Sequence, residues 1–182
     1  TDGCIGDWAE DARAVIEAQS QGPVVLVGSS MGGWISALLS KKIPERIAGF
    51  VGIAAAPDFT EDGMWAGFDT AQRDQLMHEG LVHLPSDYGA PYPITRRLIE
   101  DGRENLVLRA PLPMPFPVRL LQGEADQDVA VDVALKLFSH IEGEDVRLTI
   151  VKGADHRFST PECLALIEEN VAEICRLAEA RA

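Results

Sequence analysis

Cysteine is scarce in this chain of 182 residues, and the three present do not form a pattern. Cys4, Cys163 and Cys175 are odd in number, without C-x-x-C spacing or neighbouring histidines, which argues against a disulfide framework or a zinc site. If Cys163 and Cys175 share a helix, a rise of about 1.5 Å per residue separates them by roughly 18 Å, far beyond disulfide reach. A reducing, cytoplasmic setting is the expectation. Positive charge is also short: 16 Lys and Arg stand against 29 Asp and Glu, a net charge of −13. Neutralising nucleic-acid phosphates needs clustered cations, so no nucleic-acid partner is expected. No apolar run approaches the length that spans a bilayer, and the first residues carry no signal-peptide core, so a soluble protein with no membrane span is expected. Phosphate-loop spacing is missing too. Gly28, Gly32 and Gly33 do not make G-x-G-x-x-G, and Trp34 stands where a P-loop requires lysine.

What is present centres on Val24-Val25-Leu26-Val27-Gly28-Ser29-Ser30-Met31-Gly32-Gly33-Trp34. Four consecutive apolar residues read as a strand buried on both faces inside a parallel sheet. Gly28 and Gly32 bracket Ser30 as G-x-S-x-G, a nucleophile elbow in which a Cβ at either glycine would strike the neighbouring strand or helix. The turn leads into a helix, so the first helical amide, that of Met31, is aimed to donate to a developing oxyanion.

Around this stretch the order of elements is that of an α/β protein. A first helix is expected with Asp7 as N-cap and Trp8, Ala12, Val15 and Ile16 at amphipathic spacing. The helix after the elbow stops near Lys41-Lys42, and a buried strand follows over Ile47 to Ala56, implying a right-handed parallel crossover. Residues 57–115 break the rhythm with Gly, Pro and an aromatic and methionine concentration: Met64, Trp65, Phe68, Met77, Tyr88 and Tyr92. They read as an inserted cap or lid between core segments 1–56 and 116–182. Such aromatics ordinarily pack the insertion against the core, while Trp65 and Phe68 are the candidates for lining a substrate pocket. Alternation resumes with Val118 to Leu121, a helix bearing Leu135, Leu137, Phe138 and Ile141, and a last strand Val146 to Val151. The final helix starts at Ser159 or Thr160, with Pro161 and Glu162 in its first turn.

Acyl transfer by serine requires a base to take the hydroxyl proton and a carboxylate to orient that base. Ser30, Asp126 and His156 follow the order serine, acid, histidine, and the latter two each lie just after an expected strand. Catalytic groups of open α/β sheets collect at that carboxyl edge. Asp128 competes with Asp126 for the acid role, or caps the next helix instead. His78 and His83 precede the acid, within the insertion, and His140 ends a helix. No cofactor or metal is called for.

The segments Leu26 to Trp34, Arg119-Leu120-Leu121-Gln122-Gly123-Glu124-Ala125-Asp126 and Lys152-Gly153-Ala154-Asp155-His156-Arg157 resemble the α/β-hydrolase superfamily, over nearly the whole chain. More narrowly they are similar to the group of abhydrolase domain-containing protein ten and its bacterial relatives, acyl-protein thioesterases and acyl-glucuronide esterases. The resemblance implies a mostly parallel sheet flanked by helices, with Ser30 as nucleophile, Asp126 as acid, His156 as base and the Met31 amide as an oxyanion donor. It implies a small-molecule or acyl-protein ester as substrate, no cofactor, and a mitochondrial setting for a eukaryotic homologue. An acyltransferase or perhydrolase would carry the same triad, and a binding domain could keep it as a relic. Ala130 departs from the proline common in relatives. The larger departure is the region before the elbow, where such folds carry further strands and a loop supplying a second oxyanion amide. An N-terminally truncated fragment with about four parallel strands is the expectation; a naturally minimal hydrolase is the alternative.

Overall fold

A computed structural model describes residues 3–85 and 91–180, so Tyr88 lies outside the described residues. In chain order the elements are α1 (Ile5–Gln19), β1 (Val24–Ser29), α2 (Met31–Lys42), β2 (Ile47–Ile53), a π-helical turn (Thr60–Trp65), α3 (Thr70–Glu79), β3 (Leu81–Leu84) and β4 (Tyr92–Thr95). They continue with α4 (Arg96–Glu104), β5 (Leu112–Pro113), β6 (Val118–Gly123), α5 (Val131–His140), β7 (Ile141–Glu142), β8 (Val146–Val151) and α6 (Pro161–Glu179).

Four parallel strands form one sheet in the order β1-β2-β6-β8. Its carboxyl edge collects the residues that follow Ser29, Gly123 and Val151, and this edge carries the candidate chemistry. Strand period two puts Val51 and Ile53 of β2 and Leu121 of β6 in one core cluster with Ala154, Phe158, Cys163 and Ile174. Gly49 lies on the same face of β2, and a Cβ there would meet the Ile174 methyl at 2.2 Å, so its lack of a side chain lets α6 sit close to the sheet. Arg119, also on this face and 2 % exposed, is held by Glu173 of α6 at 2.8 Å and by Asp145 at 2.9 Å. Both carboxylates keep the buried guanidinium protonated, its pKa raised above the ordinary arginine value, and Arg119 in turn holds the Glu173 carboxyl below the usual carboxylate range.

By packing, the chain divides into two units, with a boundary inside α1. One unit combines the first segment through Asp11 with Asp58–Leu106, so the start of α1 groups with the region read as an insertion. Within it the Gly6 amide donates to Asp101 at 2.8 Å, Arg97 pairs with Asp7 at 2.6 Å and Arg103 pairs with Glu61 at 2.6 Å. The other unit comprises Ala12–Pro57 and Val107–Ala182 and contains the four-stranded sheet.

Three local expectations change. The first helix begins at Ile5, two residues before Asp7, which sits in its first turn rather than capping it. Strand β2 ends at Ile53: the Ala54 amide still makes the next rung of the parallel ladder, to the Leu121 carbonyl at 2.8 Å, and its left-handed backbone (φ 45°) then turns the chain out of the strand. Strand β1 is not buried on both faces: it ends the sheet, and Val27 is 50 % exposed. The last helix starts as its sequence indicates, with Thr160 accepting from the Cys163 amide and Pro161 at the first position.

Candidate active site

Ser30 sits between the last residue of β1 and the first of α2 with φ 51° and ψ −120°, a conformation that side-chain-bearing residues rarely adopt. Such strain costs on the order of 1–3 kcal/mol and persists only where the surroundings impose it. Here they do: the Ser30 amide donates to the Ile53 carbonyl at 2.9 Å, and its carbonyl accepts from the Gly33 and Ala56 amides at 2.9 and 3.0 Å. The elbow is thus tied to the end of β2 as well as to α2.

The glycines divide unequally. A Cβ on Gly28 would lie 2.4 Å from the Gly32 carbonyl oxygen and 2.6 Å from the Ser36 hydroxyl, so that position admits no side chain. Gly33 is equally constrained, its absent Cβ falling 2.4 Å from Ala55 Cβ. Gly32, the second glycine of the motif, faces nothing within 4 Å, against expectation. The close approach of α2 to the segment after β2 falls one residue further along the chain.

The other two arms are held by contacts between the loops after β6 and β8. Gly123 approaches so closely that a Cβ would lie 2.3 Å from the Ala154 carbonyl oxygen. The Glu124 amide donates to Val151 and the Ala125 amide to Ala154, at 2.9 and 3.0 Å. The exposed Glu124 carboxylate pairs with Lys152 and accepts from the Gly153 amide, which together lower its pKa.

Asp126, 7 % exposed, is fully used as an acceptor. Its Oδ1 takes the Asp128 and Val129 amides at 2.9 and 2.8 Å, and its Oδ2 takes the Gln122 side-chain amide at 3.0 Å and His156 Nδ1 at 2.9 Å. The other imidazole nitrogen, Nε2, lies 3.2 Å from Ser30 Oγ. An ionised carboxylate can only accept, so the imidazole proton belongs on Nδ1 and the Nε2 lone pair faces the serine hydroxyl. The structure therefore brings Ser30, Asp126 and His156 into one hydrogen-bonded chain. His156 Nδ1 bonds Asp126, and the N-cap of α5 is Ala130, not Asp128.

Asp126, Asp128 and His156 each place one ligand atom within 4.8 Å of the others. A cation seated there would take the imidazole and carboxylate away from each other and from Ser30, so it would oppose the proton path rather than support it. Met31 is the first residue of α2, and the first amides of a helix lack partners within it. Trp65 and Phe68 stand in the other packing unit, their rings edge to face at 6.3 Å. Phe68 is buried, and the Trp65 ring has the Arg103 and Arg73 guanidiniums at 4.5 and 5.3 Å from its centre.

Three residues of this edge escaped the sequence reading. Gln122 is fully buried at the end of β6. Its signal was a polar residue closing an apolar strand beside Gly123. Phe158, fully buried with φ 51°, roots the His156 loop in the core cluster; its signal was a lone aromatic in a polar stretch. Gly123 gave no signal beyond being glycine.

A model of the family described as alpha/beta hydrolase fold matches residues 1–91. A palmitoyl-protein thioesterase of rat, ABHD10, named as mitochondrial, is 30 % identical over 155 residues, covering 84 % of this chain and 52 % of the relative. The chain spans about half the length of the curated relatives it matches. Among solved structures, a protein from Agrobacterium vitis S4 described as a hydrolase is 38 % identical with a TM-score of 0.91, covering 95 % of this chain and 69 % of that one. Mouse alpha/beta hydrolase domain-containing protein 10 is 27 % identical with a TM-score of 0.87, covering 96 % and 70 %. Among the described residues no helix is long and apolar enough to cross a membrane.

Proposed function

Because the chain belongs to the alpha/beta hydrolase fold family, we propose that it cleaves carboxylic esters or thioesters through an acyl-enzyme on Ser30. The observation that carries this reading is the unbroken path from Ser30 Oγ through His156 to Asp126, at 3.2 and 2.9 Å. In the first step His156 Nε2 takes the hydroxyl proton as Oγ attacks the acyl carbon. The Met31 amide donates to the oxyanion, and the positive end of α2 stabilises the same charge. Collapse expels the alcohol or thiol, protonated by His156. Water then attacks the acyl carbon with His156 again as base, releasing the acid and restoring the serine. Asp126 stays ionised throughout and stabilises the imidazolium.

The relatives named palmitoyl-protein thioesterase support, as the substrate class proposed here, a long acyl chain on a thiol, with esters of related acids as the second class. Kinetics on short, medium and long p-nitrophenyl esters and on an S-palmitoyl peptide test the proposal. Saturable turnover that Ser30→Ala abolishes supports it, and a kcat/KM rising with chain length supports the acyl class. A folded protein without turnover on the whole panel would instead favour a binding domain.

A further inference from the structure

Gln122 uses one nitrogen for three acceptors. Its two N–H bonds serve Asp126 Oδ2 at 3.0 Å and the Val129 carbonyl at 2.9 Å, and the Gly123 carbonyl, at 3.2 Å, shares one of them. Val129 in turn sends its own amide to Asp126 Oδ1 at 2.8 Å. This closes a ring: the side chain of Gln122 grips the turn, and the turn grips the carboxylate. Turning the amide over would set its oxygen against the Asp126 oxygen and strip both carbonyls of their donor, so the orientation is dictated by the acceptors around it.

The arrangement has a cost. Gln122 is fully buried, and its Oε1 has no hydrogen-bond partner among the described residues. An apolar side chain of similar volume would fill the space without leaving that acceptor unpaired. The donor is therefore what distinguishes glutamine here, and it falls on Oδ2, the same oxygen that receives His156 Nδ1.

We propose that Gln122 is a positioning residue for the acid arm, holding Asp126 Oδ2 in line with His156 so that the imidazole presents Nε2 to Ser30. Without its bond the carboxylate is left on the Asp128 and Val129 amides and His156 alone, free to rotate about the Oδ1 side. The proposal rests on the serine-hydrolase reading above, so its test includes a readout that needs no turnover.

Gln122→Met keeps the volume and removes the donor. Gln122→Glu keeps a donor while its carboxyl is protonated and sets two negative charges together once it ionises, with Asp128 as the further carboxylate beside His156. On a p-nitrophenyl ester, Gln122→Met is expected to lower kcat about 10- to 100-fold at similar KM. The ratio of Gln122→Glu to wild-type kcat is expected to fall as pH rises from 5 to 8, a signature that loss of packing would not give. In proton NMR of the resting enzyme, the downfield His156 Nδ1–H resonance of the wild type should broaden or vanish in Gln122→Met, whether or not any substrate is turned over. Gln122→Met with wild-type kcat and an unchanged resonance would overturn the proposal; if that variant does not fold, a pH-flat Gln122→Glu ratio would do so. A wild type that hydrolyses nothing yet shows the resonance, lost in Gln122→Met, would sink the enzymatic reading and leave the positioning claim standing.

Discussion

His156 Nε2 lies 3.2 Å from Ser30 Oγ although 126 residues separate the two in the chain. Neither side chain makes this contact by local preference. It exists because β1 and β8 end at the same edge of one parallel sheet and because both loops are tied down by backbone bonds. Removing the acid should therefore leave the fold intact and the chemistry crippled: Asp126→Asn is expected to lower kcat by about 10⁴, through loss of the correct imidazole tautomer. Stopped-flow acylation by a p-nitrophenyl ester, with circular dichroism as the control for folding, checks this. A loss under tenfold would mean that Asp126 is not the acid.

The glycines of the elbow should separate cleanly. Gly28→Ala and Gly33→Ala force a methyl to within 2.4 Å of the Gly32 carbonyl and of Ala55 Cβ respectively, and each is expected to destabilise by about 1–3 kcal/mol or more. Gly32→Ala meets nothing within 4 Å and sits near the start of α2, so it should be neutral or stabilising by up to about 1 kcal/mol. Urea midpoints of the three variants are the measurement. A motif-based reading ranks Gly32 with Gly28; the geometry ranks it apart.

At the loop pair, Gly123→Ala should push Ala154 away and carry His156 with it, since its Cβ would lie 2.3 Å from that carbonyl. The expected result is a fall in kcat of at least about tenfold, because misplacing a catalytic group by an ångström can cost about 10²-fold. Lys152→Ala, which breaks only the exposed pair with Glu124, should change stability by less than about 1 kcal/mol and kcat very little. Parallel losses in both variants would argue that the ion pair, not the backbone approach, sets the loop.

Acid stability should report on Arg119. Its guanidinium holds the Glu173 carboxyl below the ordinary value of 4.5. A carboxyl depressed in the folded state contributes stability above its unfolded pKa, and loses that contribution as pH falls through the lower folded value. Glu173→Gln is therefore expected to cost about 1–2 kcal/mol at neutral pH, with the gap to wild type closing below about pH 4. Urea unfolding at pH 7, 5 and 3 tests it, and a pH-independent gap would contradict it.

Much of this site was legible because it is built from short local signals. The strand-elbow-helix stretch around Ser30 carries its own turn chemistry, and Asp126 and His156 stand just past strands that read plainly as Val118 to Leu121 and Val146 to Val151. What was not legible comes from approach between distant segments. Gly33 and Gly123 matter through Ala55 and Ala154, and nothing in their own neighbourhoods says so. The half-exposed Val27 shows the same limit: an apolar run announces a strand, but not which of its faces other elements cover. The short hairpin β3–β4 and the π-helical turn at Thr60–Trp65 were missed because four- to six-residue elements leave little periodicity to read.

Fluorophosphonate labelling followed by peptide mapping tests the central claim most directly. A nucleophilic Ser30 predicts one covalent adduct on the peptide containing Gly28 to Trp34, localised to Ser30, absent in Ser30→Ala and formed far more slowly in His156→Ala. A folded wild-type protein that stays unlabelled, or one modified at Ser29 or elsewhere while Ser30 remains free, would contradict it.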